Sequence, residues 1–171
     1  MRHLTLICSI FAAIFSINAF AANFSIKTNS FTDGGLIPIL YTCDGKDISP
    51  EISWANIPAK TQSFVLIVSD PDAPTGTFYH WLVFNIPKSA RSLPSNSEPL
   101  PTGAMLGNNS WGSPMYKGPC PPKGAAHTYI FTLYALDTKL KLSAGTDFET
   151  LNEAIKNHIL ETTKITASYN H

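Results

Sequence analysis

The stretch 127–137, HTYIFTLYALD, decides the fold, because it is the longest run in the chain that is rich in both β-branched and aromatic residues. Such residues favour a strand. Two shorter runs, 63–68 (SFVLIV) and 80–86 (HWLVFNI), are apolar almost throughout, which is typical of strands buried on both faces. Residues 24–28 alternate apolar and polar side chains, and turn-forming Gly, Pro and Asp residues separate these runs. The pattern predicts a mainly β chain.

One helix is expected in the last quarter of the sequence. Thr146 is suited to cap it, and Glu149 three residues later would complete a capping box. Apolar side chains then follow at helical spacing, at Phe148, Leu151, Ile155 and Ile159. This stripe indicates packing against a core rather than a cofactor site.

Residues 87–126 differ from the rest, since they hold eight of the 13 prolines and show little periodicity. A long segment without clear elements in a small domain is commonly functional. We expect it to wrap the sheet and to form one wall of a pocket. No linker divides the chain, so residues 22–171 are predicted to form one domain.

Residues 1–21 have the features of a cleaved secretion signal. A basic start precedes an uncharged apolar run, 4–17, that is too short to span a bilayer comfortably, and Ala19-Phe20-Ala21 forms an A-x-A cleavage site. We therefore predict export, to the periplasm or outside the cell, with an uncleaved N-terminal anchor as the alternative. Cys43 and Cys120, the two cysteines beyond the signal, would then meet an oxidising compartment and are expected to form a disulfide.

Charge and motifs exclude some classes of function. The chain has 12 basic and 12 acidic residues, without a basic block or stripe. Binding to nucleic acid, which requires a clustered positive surface, is therefore not expected. The sequence also lacks the G-x-S-x-G elbow of many serine hydrolases.

Two segments around the first buried strands concentrate polar residues. Asp70-Pro71-Asp72-Ala73-Pro74 follows the run 63–68, and its two X-Pro bonds allow a cis peptide that would hold a tight turn. His80 opens the next strand and is expected to have one side near a cleft. The alternatives are an exposed turn with solvated aspartates and a histidine with a purely structural role.

A third segment, the proline loop 118–124 (GPCPPKG), precedes His127 and Tyr129. These two residues are two positions apart on a strand and so face the same side. A protonated histidine and a tyrosine hydroxyl would donate hydrogen bonds to an oxyanion, whereas buried aspartates would orient an imidazole or accept from a ligand amine. Together the three segments predict one concave site for a small phosphate that carries an amine.

The order DPDAP, then a histidine before LVFN, then GPCPPKG followed by H-x-Y resembles the signature blocks of the phosphatidylethanolamine-binding (Raf kinase inhibitor-like) family, in its bacterial branch. The resemblance covers nearly all of residues 22–171. It implies a PEBP-like fold, with a large central antiparallel sheet, a smaller second sheet and one or two helices. It also implies a pocket for phosphate or phosphoethanolamine-like anions, formed by Asp70, Asp72, Pro74, His80, Pro122, His127 and Tyr129. We expect no catalytic residue, metal or cofactor.

Two positions depart from the eukaryotic pattern. Thr128 stands where an arginine is usual, and Cys120 stands where eukaryotic members tend to have glycine, which argues against kinase inhibition in particular. The alternatives are an inhibitor that contacts a protease or kinase directly, a hydrolase that uses the aspartates or Cys120 near His127, and a metal site. The metal ligands would be Asp70, Asp72, His80 and His127. A protein target modulated through the ligand and a homodimer are further partners compatible with the resemblance.

Overall fold

The computed structural model describes residues 22–171, so the predicted signal, 1–21, lies outside the described residues. In chain order the elements are β1 (Ser25–Lys27), β2 (Gly35–Leu36), a 3₁₀ turn (Ile39–Tyr41), β3 (Ile52–Ala55), β4 (Ser63–Asp70), β5 (Phe78–Pro87), β6 (Ser92–Leu93), β7 (Met105–Gly107), β8 (His127–Leu136), α1 (Phe148–Ile155) and β9 (Ile159–Tyr169). The predicted mainly β fold is confirmed.

Two sheets organise the chain. The smaller has the order β1-β3-β6 and is antiparallel, and the larger has the order β2-β9-β8-β4-β5-β7. All neighbours in the larger sheet are antiparallel except β2 and β9, which pair in parallel at one edge. The expected combination of a large and a small sheet is therefore present, with one parallel pair added at the edge.

The centre of the large sheet is buried on both faces, which explains the unbroken apolar run of β4. Phe64, like every second residue of β4, faces the small sheet, where its ring centroid lies 5.3 Å from that of Trp54. Val65 and Ile67, which alternate with these residues along β4, face the opposite side and share a core with Leu151 of α1. Alternate side chains thus fill two separate cores, as the sequence predicted for a strand covered on both sides.

The helix begins one residue later than the capping box indicated. Asp147, not Thr146, is the N-cap, and its Oδ1 accepts a hydrogen bond of 2.8 Å from the Thr150 N–H. The predicted Thr146 cap is wrong because this carboxylate takes the capping position, while the Thr146 carbonyl accepts from Asn108. Ile159 does not extend the apolar stripe, since the chain enters β9 there. Within residues 22–171, no helix is both long and apolar enough to cross a membrane.

The turn after β4 is held by a side chain rather than by a cis proline. The cis peptide of the described residues is Glu98–Pro99, so the cis bond that the sequence allows within 70–74 is not found. Instead Asp70 Oδ1 accepts from the Asp72 N–H at 2.8 Å, which closes the start of the turn with trans peptides.

Candidate functional site

The candidate site lies at one end of the large sheet. β4 ends at Asp70, β8 begins at His127, and His80 is the third residue of β5. Because β4 runs antiparallel to both of its neighbours, the last residue of β4 and the first residues of β5 and β8 lie at the same end of the sheet. The sequence therefore brings residues that are distant in the chain to one place.

A cavity of about 180 Å³ opens at this end of the sheet. It is lined by Asp70, Ala73, Pro74, Thr75, Phe78, His80, Trp111, Cys120, Pro121, Pro122, His127 and Tyr129. Six of the seven pocket residues expected from the sequence belong to this lining, and Asp72 does not. The cavity is smaller than the 300–1,000 Å³ common for drug-sized ligands, so its volume suits a small ligand.

A buried hydrogen bond between His127 and Asp70 forms the floor of the site. His127 Nδ1 lies 2.7 Å from Asp70 Oδ2, and both side chains are almost completely buried. The carboxylate accepts at both oxygens, from His127 on one and from the Asp72 N–H on the other. Because Asp70 only accepts, His127 carries its hydrogen on Nδ1, and its Nε2 has no hydrogen-bond partner among the described residues.

His80 is oriented in the same way but in a less polar setting. Its Nδ1–H donates to the Lys117 carbonyl at 2.8 Å, and Nε2 has no partner in residues 22–171. Burial lowers the pKa of His80, although the Lys117 carbonyl and the charge of Asp70 partly oppose this effect. The ring is therefore neutral near pH 7, and it can take up a proton at Nε2 when an anion approaches.

Tyr129 carries a buried hydroxyl without a partner. The residue is fully buried, and its Oη makes no hydrogen bond within the described chain, although Asp70 and the backbone of Cys120 are nearby. Burial raises the pKa of this hydroxyl well above its usual value, with the Asp70 charge adding to the effect. It therefore remains a donor at every physiological pH, and a buried unpaired donor costs about 1–3 kcal/mol.

Asp72 has a different position from the one expected. Its side chain is exposed, outside the cavity lining, and its Oδ2 accepts from the Thr128 N–H at 2.7 Å. This hydrogen bond is the main reason that the pKa of Asp72 is lowered. The expectation of two buried aspartates is therefore wrong, because Asp72 fastens the 71–76 turn to the first residues of β8.

The sequence analysis missed the aromatic rim of the cavity. The Trp111 ring lies 5.2 Å from His80 and 4.6 Å from Phe78, both edge-on, and the Lys117 ammonium lies 5.3 Å from the Trp111 ring centre. Trp111 is 43% exposed. Its one sequence signal is that it is a large aromatic residue in the small polar run GNNSWGS. Ala73, Thr75 and Pro121 complete the residues that were not predicted.

The proline loop 118–124 forms the facing wall, as expected for the 87–126 segment. Cys120 is bonded to Cys43, and their Cα atoms lie 5.5 Å apart, so the predicted disulfide is present. Gly118 allows the loop to approach closely, since a Cβ at this position would overlap the Tyr41 carbonyl, and its N–H donates to Asp47 Oδ1 at 2.6 Å. The wall is thus fixed to the segment that follows the 3₁₀ turn.

The metal-site alternative has no geometric support at the cavity. Among residues 22–171, Asp70, Asp72, His80 and His127 do not bring three ligand atoms within 4.8 Å of one another. The hydrolase alternative also loses its thiol, because the sulfur of Cys120 is in the disulfide. The arrangement can instead present three groups to a ligand: the hydroxyl of Tyr129 and the Nε2 atoms of His80 and His127.

Comparisons with known proteins agree with this fold. Residues 27–170 match the family model for phosphatidylethanolamine-binding protein. A UPF0098 protein of Methanothermobacter thermautotrophicus is 45% identical over 148 residues, which are 85% of this chain and 97% of that protein. The UPF0098 protein YbcL of Escherichia coli is 34% identical over 178 residues, which are 96% and 97% of the two chains.

Two solved structures share the architecture. The crystal structure of Escherichia coli YbcL, described as a new member of the mammalian PEBP family, has a TM-score of 0.83 and 32% identity, and the match covers 88% of this chain and 99% of that one. The PEBP homolog CT736 of Chlamydia trachomatis has a TM-score of 0.81 and 35% identity, with 86% and 97% covered. With a family model that spans nearly all of the described residues and relatives alike in both sequence and structure, this chain belongs to the phosphatidylethanolamine-binding protein family.

Proposed function

We propose that this protein binds a small anion of the phosphate or phosphoethanolamine type in the cavity at the end of the large sheet, and that it does so without catalysis. The observation that carries the proposal is the Tyr129 hydroxyl, which is buried, protonated and without a partner in residues 22–171. A ligand oxygen would remove the cost of this unpaired donor. His80 and His127, whose Nε2 atoms have no hydrogen-bond partner among the described residues, line the same cavity.

The surroundings support an anion despite the presence of Asp70. Both Asp70 oxygens already accept hydrogen bonds, from His127 and from the Asp72 N–H, so the carboxylate is turned toward these donors. The Lys117 ammonium, held near the Trp111 ring, adds a positive charge at the rim. The apolar rings of Phe78 and Trp111 limit the access of water, which strengthens hydrogen bonds made inside.

Tyr129→Phe is the decisive variant, because it removes only the unpaired oxygen. We expect the affinity for inorganic phosphate and for phosphoethanolamine, measured by calorimetry, to fall roughly 10- to 150-fold, the value of one hydrogen bond to a charged group. The free energy of unfolding should not fall, since no existing hydrogen bond is lost. Tyr134→Phe, on the same strand but away from the cavity, is the matched control.

The outcome for the variants separates binding from folding. Unchanged affinity in Tyr129→Phe, with wild-type stability, would refute the assignment of the hydroxyl as a ligand donor. The double variant of His80 and His127 to alanine should abolish detectable binding. If this variant still binds phosphate, the ligand binds at another site. Ethanolamine alone, which lacks the phosphate, is expected not to bind.

Binding should also depend on pH through the histidines. His80 is neutral in the free protein near pH 7 because burial lowers its pKa, and a bound anion favours its protonation. We expect the affinity for sulfate, whose own charge is constant, to rise as the pH falls from about 8 to about 6, by at most about tenfold per pH unit for one coupled proton. A flat profile over this range would exclude an imidazolium as the binding group.

We further propose that the protein is exported after cleavage before Ala22. The A-x-A site and the apolar run of the N-terminal segment support this, and the Cys43–Cys120 disulfide is compatible with an oxidising compartment. An intact mass of residues 22–171, less two hydrogens, is expected for protein purified from its native host. A mass that includes residues 1–21 would contradict cleavage.

A further inference from the structure

A second group of chemically active side chains lies outside the anion cavity. The Nε2 atom of His171 is 3.8 Å from the Cys120 sulfur and 3.9 Å from the Cys43 sulfur. All three residues are exposed, and their ligand atoms lie within 4.8 Å of one another. Two sulfurs and an imidazole nitrogen thus converge on one point of the surface.

The imidazole of His171 is oriented by a carboxylate. Its Nδ1 lies 2.8 Å from Asp44 Oδ2, and the same oxygen accepts a short hydrogen bond from the Tyr169 hydroxyl. Asp44 thereby fixes the hydrogen of His171 on Nδ1 and leaves the Nε2 lone pair on the side of the sulfurs. Histidines that bind metals are typically held in this way, by a carboxylate on the nitrogen that does not bind.

We propose that Cys43, Cys120 and His171 form a binding site for Zn²⁺ when the disulfide is reduced. Zinc bonds of about 2.3 Å to sulfur and about 2.0 Å to nitrogen, in tetrahedral geometry, place sulfur and nitrogen roughly 3.6 Å apart. The distances of 3.8 and 3.9 Å to His171 are close to this value. Only the two sulfurs need to move apart, and three protein ligands leave the fourth position to water.

The site requires a dithiol reductant. The reductant gives two electrons and two protons, the Cys43–Cys120 bond breaks to two thiols, and the reductant becomes a disulfide. Metal binding then releases the two thiol protons to solvent, while His171 binds through the lone pair of its Nε2 atom. Zinc itself changes no oxidation state. Disulfide and metal are therefore alternative cross-links of the same two segments.

Either cross-link, the disulfide or the metal, would also hold one wall of the anion cavity in place. Cys120 contributes to the cavity lining together with Pro121 and Pro122, so either the disulfide or the metal would tie this wall to the segment around Cys43. The metal site uses none of the anion-binding groups, and its test does not depend on the proposed anion function.

The test compares the oxidised and the reduced chain. Protein treated with a dithiol, then freed of it under anaerobic conditions, is titrated with Zn²⁺ alone in competition with a chromogenic chelator. We expect one equivalent to bind the reduced chain at least 100-fold more tightly than the oxidised chain. Co²⁺ in place of Zn²⁺ should give the charge-transfer absorption of a thiolate complex. Equal affinity in the two redox states would overturn the proposal.

Variants that leave both cysteines in place test the third ligand. His171→Ala should weaken zinc binding to the reduced chain at least tenfold, and Asp44→Asn, which changes only the support of His171, should weaken it by a smaller factor. His158→Ala is the matched control, because His158 also pairs with an aspartate at 2.8 Å but is not in the cysteine group. An unchanged affinity in His171→Ala would refute the site as assigned.

Reduction can loosen the fold, so folding is measured alongside binding. Near-UV circular dichroism of the reduced chain is recorded with and without Zn²⁺. We expect zinc to restore the native spectrum where it has been lost, and to raise the melting temperature, because a ligand of the folded state stabilises that state. A reduced chain that zinc neither refolds nor stabilises would also overturn the proposal.

Discussion

At the scale of single residues, the two histidines of the cavity make the same kind of hydrogen bond in different electrostatic environments. Each ring uses Nδ1 to reach a fixed acceptor, a carboxylate for His127 and a backbone carbonyl for His80. Burial of His80 against Trp111 and Tyr129 disfavours its charged form. The site thus holds a histidine hydrogen-bonded to a carboxylate beside one that stays neutral until a ligand or acid protonates it.

The buried neutral His80 predicts a loss of stability in acid. Its pKa is lowered in the folded state, so the unfolded chain binds the proton more readily. The contribution of His80 to stability is therefore complete above the unfolded pKa of about 6.5 and is lost as the pH falls through the lower folded pKa. Urea unfolding at pH 7.5 and at pH 5 should show this loss, at most about 1.4 kcal/mol per pH unit for one proton.

A variant assigns this acid sensitivity to one residue. His80→Asn keeps a donor for the Lys117 carbonyl but cannot be protonated, so the difference between the two pH values should shrink. His158→Asn, at an exposed position, is the comparison that should leave most of the difference intact. The assignment fails if both variants behave alike.

At the scale of elements, β5 is bent by one asparagine. Asn85 has a φ of 54°, in the left-handed region, and the pairing of β4 with β5 changes register beside it. The side chain compensates for this interruption, since Nδ2 donates to the Leu140 carbonyl at 3.0 Å and Oδ1 accepts from the Leu140 N–H at 2.8 Å. Asparagine tolerates the left-handed region better than most residues, and here it also pairs two buried backbone groups.

Asn85→Ala is therefore expected to destabilise the protein by about 3 kcal/mol, because it leaves a buried N–H and a buried carbonyl unpaired. Asn56→Ala is the matched control, with a φ of 56° but an exposed side chain that makes one hydrogen bond, to the Asn23 carbonyl. We expect about 1 kcal/mol there, from backbone strain and that bond. Equal losses of unfolding free energy in urea would mean that strain, rather than the buried hydrogen bonds, sets the cost.

The central strands were predictable for a reason that does not apply to β9. β4, β5 and β8 bury apolar or aromatic side chains, so their sequences carry the signal. β9 (ILETTKITASY) is mostly polar and partly exposed, and its strand structure comes from pairing along the whole of β8. For the site, Asp70, His80 and His127 were predictable because strand ends converge, whereas Trp111 reaches the cavity from a loop with no periodicity.

At the scale of the whole molecule, the Cys43–Cys120 disulfide joins two loops that no strand pairing connects directly. The cysteines are 77 positions apart in sequence, and the strands β3 to β7 and most of the proline-rich segment lie between them. A cross-link that closes so long a loop restricts the unfolded chain and stabilises the folded state by about 4 kcal/mol on the chain-entropy account. It also holds Cys120, Pro121 and Pro122 in place as a wall of the cavity.

The double variant of Cys43 and Cys120 to serine should therefore show two effects. The free energy of unfolding in urea should fall by about 4 kcal/mol, and the affinity for phosphate should weaken because the proline wall is no longer tied to its neighbour. Free-thiol titration of the unfolded, unreduced wild type is expected to find no reactive thiol in residues 22–171, and two reactive thiols would contradict the bridge. If stability falls as expected but phosphate affinity does not, the wall is held by other contacts, which include the hydrogen bond of 3.1 Å from the Cys43 N–H to the Pro119 carbonyl and that of 2.6 Å from the Gly118 N–H to Asp47.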